Sequence, residues 1–255
     1  DFSLAAAGAH NISVIASDKL HQNSTVQTFY VFVDSIAPAT AVGIGSPSFG
    51  TAPAYINSST QITLNATDSG AGIDLIRYRI DGGNWKTYSL PLNFTVAGLH
   101  LIEYRSLDKL SNAEAIQAME IFVDDLAPSI DWAFGSPNQG TAPAYVTSAT
   151  ALTLISSDAG SGLAEIWYSV DNGAWTLYSA PLTFATAGAH SVRFYAVDNL
   201  GQSSATSSLG AFVDDDAPSV YTAPGVTNGV IALDKGANVT LWATDAGVGD
   251  SIIRY

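Results

Sequence analysis

The sequence contains no cysteine, which excludes disulfide bonds, thiolate nucleophiles and zinc sites built on cysteine. Charged residues make up only 13% of the 255 residues, and only nine residues are Lys or Arg. Binding to nucleic acid or to an anionic membrane surface depends on clustered Lys and Arg, so both functions are disfavoured. No run of 18 apolar residues occurs, and we therefore expect no membrane-spanning segment here.

Acidic residues outnumber basic residues by 23 to 9, which gives a formal net charge of −14. An excess of carboxylates is compatible with the binding of divalent cations, because hard cations prefer oxygen ligands. Hydrophobic residues account for 47% of the sequence. This is enough for ordinary packed cores, so the composition predicts folded domains and not a disordered chain.

An internal repeat of 90 residues organises the sequence. The segment FVDDLAP at 122–128 recurs as FVDSIAP at 32–38 and as FVDDDAP at 212–218. The repeat predicts complete domains at 39–128 and 129–218, the back half of a domain at 1–38 and the front half of another at 219–255. In that last part the segment before Asp245 is three residues shorter, which predicts a different loop. Because both ends fall inside a repeat, we expect the sequence to be a window of a longer polypeptide.

Each repeat has the pattern of short β-strands. Ile62, Leu64 and Ala66 alternate with polar residues, which is the period of a half-buried strand. The Asp-Gly-Gly segment at 81–83 is typical of a hairpin turn. About seven such strands fit into one repeat, with turns at roughly 8–12-residue intervals. This predicts an all-β fold of tandem Ig-like sandwiches. Trp85 and Trp175 follow the hairpin turn and are interpreted as core or sandwich-edge residues.

The combined motifs resemble the tandem bacterial Ig-like (Big-type) repeats, and the resemblance covers essentially the whole chain. It rests on Asp-x-Gly-x-Gly at 68–72, Asp-Gly-Gly-x-Trp at 81–85, Ala-Gly-x-His at 97–100 and Val-Asp-Asp-x-Ala-Pro at 123–128. Such repeats occur in large secreted and cell-surface proteins as stalks, spacers or adhesin segments, and sometimes as accessory modules beside secreted hydrolases. The resemblance therefore implies an extracellular or cell-surface location.

The candidate chemical groups argue against an enzyme. Each candidate acid recurs once per repeat at the same place, whereas an active site normally assembles one constellation in one cleft. No phosphate-binding Gly-rich loop, Gly-x-Ser-x-Gly elbow or His-Glu-x-x-His segment is present. His10, His100 and His190 each begin a predicted strand, and one His per repeat is too few for zinc. We interpret each His as a hydrogen-bonding residue that follows the Gly turn.

Aspartates at fixed repeat positions are candidate calcium ligands. Asp68 and Asp108 follow predicted strands whose loops lie at one end of an Ig-like sandwich, and the linker carrying Asp34 enters at that end. Calcium takes six to eight oxygens, and an ion bound at a joint would stiffen it. The predicted clusters are Asp34, Asp68 and Asp108; Asp124, Asp125, Asp158 and Asp198; and Asp214, Asp215, Asp216 and Asp245.

A second interpretation of these aspartates needs no metal. Asp before Gly forms an Asx-turn, in which the carboxylate accepts from a backbone N–H two residues on. Asp68, Asp158 and Asp245 fit that role. The linker Asp-x-x-Ala-Pro is itself short, and Pro restricts both its own φ and the residue before it. We therefore predict a nearly constant orientation between successive repeats, with or without calcium.

Two surface features remain open. Glycosylation sequons occur at Asn11, Asn23, Asn57, Asn65, Asn93 and Asn238, and their use depends on the host. Trp132, Trp167 and Trp242 have no aromatic counterparts in the other repeats. Strand alternation predicts that Trp167 and Trp242 face outward, where they are either isolated exposed aromatics or contacts for a glycan or a neighbouring chain.

These observations favour a non-enzymatic segment of a long extracellular protein that serves as a stiff stalk, adhesin shaft or fibre. One alternative is a filament- or surface-layer-forming subunit that self-associates through its partial terminal repeats. Another is a carbohydrate-binding or spacer region of a secreted hydrolase. The expected partners are neighbouring repeats, other copies of the chain, or a glycan or surface ligand. Calcium is the one cofactor that the sequence indicates.

Overall fold

The computed structural model describes residues 2–223, 235–245 and 249. Backbone contacts divide the chain into two compact units, Asp1–Asp125 and Leu126–Tyr255. All regular secondary structure in the described residues is β-strand, so no helix there is long and apolar enough to cross a membrane. The predicted all-β fold is confirmed.

The first unit contains the predicted back half-repeat and the first complete repeat. Its strands are β1 (Gly8–Val14), β2 (Gln27–Val33), β3 (Ala39–Ile44), β4 (Ser48–Phe49), β5 (Ala54–Ile56), β6 (Ile62–Thr67), β7 (Ile73–Ile80), β8 (Lys86–Thr87), β9 (Gly98–Asp108) and β10 (Gln117–Val123).

Two sheets form the sandwich of the first complete repeat. The smaller sheet pairs β3 with β6 in antiparallel fashion, and an isolated bridge between Ile62 and Leu92 extends it. The larger sheet has the order β4-β5-β10-β9-β7-β8, in which only β5 and β10 run parallel. This is an Ig-like arrangement, as predicted, with one strand of the smaller sheet reduced to a single bridge.

Strand alternation builds the core between these sheets. Ile62 and Leu64 point inward from β6 and meet Ile102 of β9 and Ile121 of β10. All four are almost fully buried, and each contributes roughly 1.5–3 kcal/mol by leaving water. The intervening residues point outward, which is the pattern that the sequence predicted for these strands.

The second unit repeats this design with a different set of core side chains. Leu152 and Leu154 of one sheet pack with Val192, Phe194 and Val213 of the other. Its strands are β11 (Ser129–Phe134), β12 (Asn138–Gln139), β13 (Ala144–Val146), β14 (Leu152–Ser157), β15 (Leu163–Val170), β16 (Thr176–Leu177), β17 (Gly188–Asp198), β18 (Ser207–Val213), β19 (Ser219–Ala223) and β20 (Thr240–Thr244).

The sheets of the second complete repeat match those of the first. β11 pairs with β14, and the larger sheet has the order β12-β13-β18-β17-β15-β16. The strand pair β13–β18 is again parallel. A separate antiparallel pair, β19–β20, belongs to the predicted front half-repeat. The predicted change of loop before Asp245 falls largely on residues 224–234, outside the described residues.

In the partial repeat at the start, β1 and β2 form one antiparallel pair of seven residues each. Val14 and Phe29 are about half exposed there. At the equivalent positions of the complete repeat, Tyr104 is buried and Met119 packs against the core. The inner face of this strand pair is therefore apolar and uncovered in the described structure.

Candidate metal centre and recurring histidine clamps

Three carboxylates meet in the first unit, where the residue after β2 approaches two loops of the following sandwich. Asp34 follows β2, Asp68 follows β6 and Asp108 ends β9. One oxygen from each lies within 4.8 Å of one from each of the others. Within the described residues no Lys, Arg or His forms an ion pair with any of the three. The arrangement therefore concentrates negative charge around one point.

Asp68 is fixed by the loop that follows it. Its Oδ2 accepts from the backbone N–H of Gly70 at 3.1 Å and of Gly72 at 2.7 Å. This is the predicted Asx-turn, and Gly72 completes it at a φ of 81°. The other oxygen, Oδ1, is buried and accepts no hydrogen bond. The turn thus uses one carboxylate oxygen and leaves the second available to a ligand.

Asp34 lies directly against the same loop. Its Oδ2 accepts from the N–H of Ala71 at 2.6 Å, and its Oδ1 accepts from Ile36 at 3.0 Å. A Cβ on Gly70 would overlap the Asp34 carboxylate. Glycine is therefore required at position 70 because the carboxylate approaches the backbone closely, and this explains the first Gly of the Asp-x-Gly-x-Gly motif.

Asp108 is 1% exposed and is held by the loop after β9. Its Oδ1 accepts from the N–H groups of Leu110 and Asn112, and its Oδ2 accepts from the Asn112 side chain at 2.7 Å. Burial by itself raises the pKa of Asp108, but the hydrogen bonds from Asn112 and Leu110 outweigh it and lower that pKa below its ordinary value. Asp108 is therefore a carboxylate at neutral pH.

The second unit contains the equivalent loops. Asp158 accepts from Gly160 and Gly162, and Asp198 accepts from Leu200 and from both the backbone and side chain of Gln202. The two carboxylates offer oxygens within 4.8 Å of each other. The residue 90 positions after Asp34 is Asp124, which belongs to the first unit. Its place beside this pair stays a prediction.

Asp125 and Asp215 are each engaged by a backbone N–H group, and their part in metal binding stays a prediction. Asp125 accepts from the N–H of Ser58 at 2.8 Å, and Asp215 accepts from Ser148 at 2.9 Å. The backbone hydrogen bond from Ser148 lowers the pKa of Asp215. Each of these residues therefore binds a loop of its own sandwich.

The third predicted cluster is incomplete. Asp214 accepts from the N–H of Asp216 at 3.1 Å, so the backbone already engages its carboxylate. In the part of the chain that the structure describes, neither Asp214 nor Asp245 belongs to a group of three potential ligands within 4.8 Å. Metal binding at this third cluster stays a prediction.

Each complete repeat also contains a histidine clamp, which we define as a His held between an Asp side chain and a backbone carbonyl. His100 contacts Asp81 Oδ2 through Nδ1 at 2.7 Å and the carbonyl of Val96 through Nε2 at 2.8 Å. His190 contacts Asp171 Oδ2 and the carbonyl of Thr186, both at 2.8 Å. The predicted hydrogen bond at the start of the strand is confirmed.

The acceptors determine the charge of these histidines. A carboxylate and a carbonyl only accept, so both ring nitrogens of His100 donate when the ring is protonated. Burial lowers the pKa of His100, but the bonds to Asp81 and Val96 outweigh it and raise that pKa. The bond to Thr186, followed by that to Asp171, raises the pKa of His190.

The carboxylate partner of each clamp was missed in the sequence analysis. Asp81 was interpreted only as part of a hairpin turn and Asp171 was not singled out, yet each precedes its His by 19 positions. Each also accepts from the backbone of the residue after the His, Leu101 or Ser191. The recurrence of the same Asp–His spacing in both complete repeats was the signal that could have found the pair.

Trp85 and Trp175 lie at the edge of the larger sheet. Of the two predicted places, core or sandwich edge, the structure shows the edge, because neither residue belongs to the core clusters of the described residues. The guanidinium groups of Arg79 and Arg105 lie 4.9 and 5.3 Å from the Trp85 ring. Arg193 lies 5.3 Å from the Trp175 ring. Cation–π contact therefore holds both rings on the outer face.

The repeat-specific tryptophans occupy different environments. Trp132 packs against the core of the second sandwich. Trp167 faces outward on β15, as predicted, but neighbouring side chains cover part of it. Trp242 is exposed and stacks on Tyr221 at 6.0 Å. Of these three, Trp167 alone stands on the outer face of a complete sheet.

The predicted sequons are mostly accessible in the structure. Asn57 is the half-buried one, and its side chain accepts from the backbone and hydroxyl of Ser59. The others are exposed, namely Asn11, Asn23, Asn65, Asn93 and Asn238. Glycosylation of these residues stays a prediction.

No family model and no curated protein matches the sequence. Among solved structures, the chain is similar to the fibronectin(III)-like modules of Clostridium thermocellum CbhA, with 15% identity and a TM-score of 0.36 over 68% of this chain and 94% of that chain. It is also similar to dimeric latent PorU from Porphyromonas gingivalis, with 14% identity and a TM-score of 0.31 over 80% of this chain and 24% of that one. These values carry no argument about function, and membership of the bacterial Ig-like repeats stays a prediction.

Proposed function

We propose that this chain is a non-enzymatic segment of an extracellular surface protein and acts as a stiff shaft or adhesin stalk. The observation that carries the proposal is one sandwich design repeated with a period of 90 residues, with equivalent cores, turns and clamps. A repeated scaffold places the same groups once in every repeat, whereas an active site normally assembles one set of groups in one cleft. The short Pro-containing linkers at 34–38 and 124–128 would limit bending between repeats.

Small-angle X-ray scattering of the chain tests the stiffness. We expect a narrow distribution of maximum dimensions that does not broaden at low ionic strength. Replacing Ala127 and Pro128 by two glycines should broaden that distribution, because it removes the φ restriction of the linker. A distribution as broad for the natural chain as for the Gly-Gly variant would contradict a stiff shaft.

We further propose that Asp34, Asp68 and Asp108 bind calcium. The support is their mutual approach within 4.8 Å, together with the buried Asp68 Oδ1 that accepts no hydrogen bond. A hard cation would neutralise the cluster and take up that oxygen, with backbone carbonyls and water completing its shell. Since Asp34 belongs to the linker and the other two to sandwich loops, a bound ion would fix the linker. By repeat equivalence, we propose the same role for Asp124, Asp158 and Asp198.

Calorimetric titration of chelator-treated protein with calcium tests this site. We expect binding heat and a higher melting temperature, since a ligand at 100 times its Kd stabilises the folded state by about 2.7 kcal/mol. Asp68→Asn should weaken binding at the first site, whereas Asp125→Asn is the matched control because Asp125 binds Ser58. If calcium produces no binding heat and no shift in melting temperature, the calcium proposal is refuted. The proposal of a stiff shaft is not affected by that result.

Assembly through partial repeats is a second candidate. It is supported by the uncovered apolar inner face of β1 and β2, where Val14 and Phe29 are about half exposed. A front half-repeat, from the same polypeptide or from another copy, would cover this face. Light scattering over a concentration series tests whether another copy covers the face. A molecular mass that grows with protein concentration supports assembly between copies, and a constant mass of 26.5 kDa opposes it.

A further inference from the structure

The outer face of the larger sheet in the second complete repeat is aromatic. Trp167 on β15 pairs across the strands with Tyr195 on β17 and with Leu177 on β16. Directly paired residues point to the same side of a sheet, and the flanking Tyr168 packs into the core. Trp167, Tyr195 and Leu177 therefore form a row across the outside. We call Trp167, Tyr195 and the adjacent Trp175 the aromatic face.

The rings of the aromatic face are held by specific contacts. Trp175 stands nearly perpendicular to Tyr195, with 4.9 Å between the ring centroids and 75° between the planes. Arg193 lies over the Trp175 ring, and its guanidinium donates to the hydroxyl of the buried Ser169 at 3.5 Å. Because these contacts fix the rings in place, a ligand would lose little conformational entropy in ordering them.

Polar groups border the rings. Glu165 is exposed, and its Oε2 accepts from the indole N–H of Trp167 at 2.8 Å. Its other oxygen and the Arg193 guanidinium lie on the same outer side and supply one acceptor and several donors. Trp175 is 38% exposed and Leu177 is 48% exposed. The surface thus combines accessible ring area with hydrogen-bonding groups at its margin.

The first complete repeat differs at these positions and not in its core. The counterparts of Trp167 and Tyr195, 90 residues earlier, are Arg77 and Arg105, while Trp85 corresponds to Trp175. Arg77 and Arg105 are paired across the strands in the same way. In that repeat two guanidinium groups lie over the single tryptophan. The same scaffold therefore carries either residue set, so the fold itself does not require the aromatic face.

We propose that the aromatic face binds a neutral polysaccharide made of pyranose units with equatorial hydroxyls. Such a sugar presents a face of C–H groups, which packs on an aromatic ring, and an edge of hydroxyls, which would reach Glu165 and Arg193. Charge selects against an anionic glycan, because Glu165 borders the rings and the chain carries a net charge of −14.

Retention on insoluble cellulose, chitin and unsubstituted xylan, compared with an inert matrix, tests the proposal. The natural chain should be retained on at least one of the three. The double variant Trp167→Arg, Tyr195→Arg should lose at least about tenfold in affinity and keep its melting temperature, because the first repeat already accommodates Arg at both places. Leu90→Arg is the matched control, since it adds charge at an exposed apolar residue of the other unit.

A reverse graft tests the proposal through a gain of binding, so that it does not depend on a variant that loses binding. Arg77→Trp combined with Arg105→Tyr places two more aromatic residues on the first sheet and should increase retention on the same matrix. The proposal is overturned if the natural chain binds none of the three matrices, or if the double variant binds as well as the natural chain. Equal loss in Leu90→Arg would also overturn it, by showing that added charge alone acts. None of these outcomes bears on the stiffness measured by scattering.

Discussion

The histidine clamps predict a defined dependence of stability on pH. The folded-state pKa values of His100 and His190 are raised above the unfolded value of about 6.5. Their stabilisation is therefore fully present below about pH 6.5 and is lost as the pH rises through the higher folded-state values. The partner pKa values of Asp81 and Asp171 are lowered, so their contribution is present above about pH 4 and is lost on acidification.

The size of the effect follows from the geometry of the clamp. A hydrogen bond to a charged group contributes about 1.5–3 kcal/mol when it is well shielded. The side chain of Asp81 is 49% exposed, so solvent screening reduces the expected contribution to about 1 kcal/mol per repeat. For a domain of 60–100 residues, about 1 kcal/mol corresponds to a shift of about 4–8 °C in melting temperature. Each complete sandwich has its own clamp and should show this shift.

Differential scanning calorimetry at pH 5.5 and pH 8.5 measures this dependence. The natural chain should melt several degrees lower at the higher pH, and Asp81→Asn combined with Asp171→Asn should reduce that difference by more than half. Asp74→Asn is the control, because Asp74 is an exposed carboxylate of the same sheet. An unchanged difference between the two pH values in the double variant would refute the assignment of this stability to the clamps.

Three further predictions concern substitutions at single positions. Gly70→Ala should displace the Asp34 carboxylate and weaken calcium binding at the first site, as measured by titration calorimetry. Ser111→Gly should stabilise the first sandwich by about 0.5 kcal/mol in urea unfolding, because Ser111 has a φ of 70° and its counterpart is Gly201. Phe194→Ala should cost the second sandwich about 3–5 kcal/mol in the same assay, because the ring is fully buried.

The sequence was sufficient for the sandwich and for the place where the carboxylates meet. Alternation of apolar and polar residues located β6 and β9, so the loops carrying Asp68 and Asp108 were known to follow them. The Ig-like topology then brings those loops to one end, which is a property of the fold and needs no contact information. The 90-residue repeat contributed independent copies of each pattern, which separated recurring signals from accidental ones.

Contacts between distant residues were harder to predict. A turn such as Asp81-Gly82 has a complete local explanation, so nothing in its own sequence indicated a bond to His100 across the sheet. The same limit applied to Asp125, since composition alone does not say that its carboxylate accepts from Ser58 in a loop of its own sandwich. Side-chain direction in an extended linker depends on register, and register is set by the preceding strand.

The two complete repeats differ at positions on the outer face of the larger sheet, whereas both keep the positions that build the sandwich. Positions that pack the core or complete a turn, such as Ile62 and Gly70, are constrained because a change there costs folding free energy. Outer-face positions away from such features usually change stability by no more than about 0.5 kcal/mol. The exchange of Arg77 for Trp167 lies in this second class, so stability does not select between them. A surface that is free to vary, on a scaffold that repeats, would allow each repeat to carry a different outer face, and the reverse graft tests whether the proposed binding can be transferred in this way.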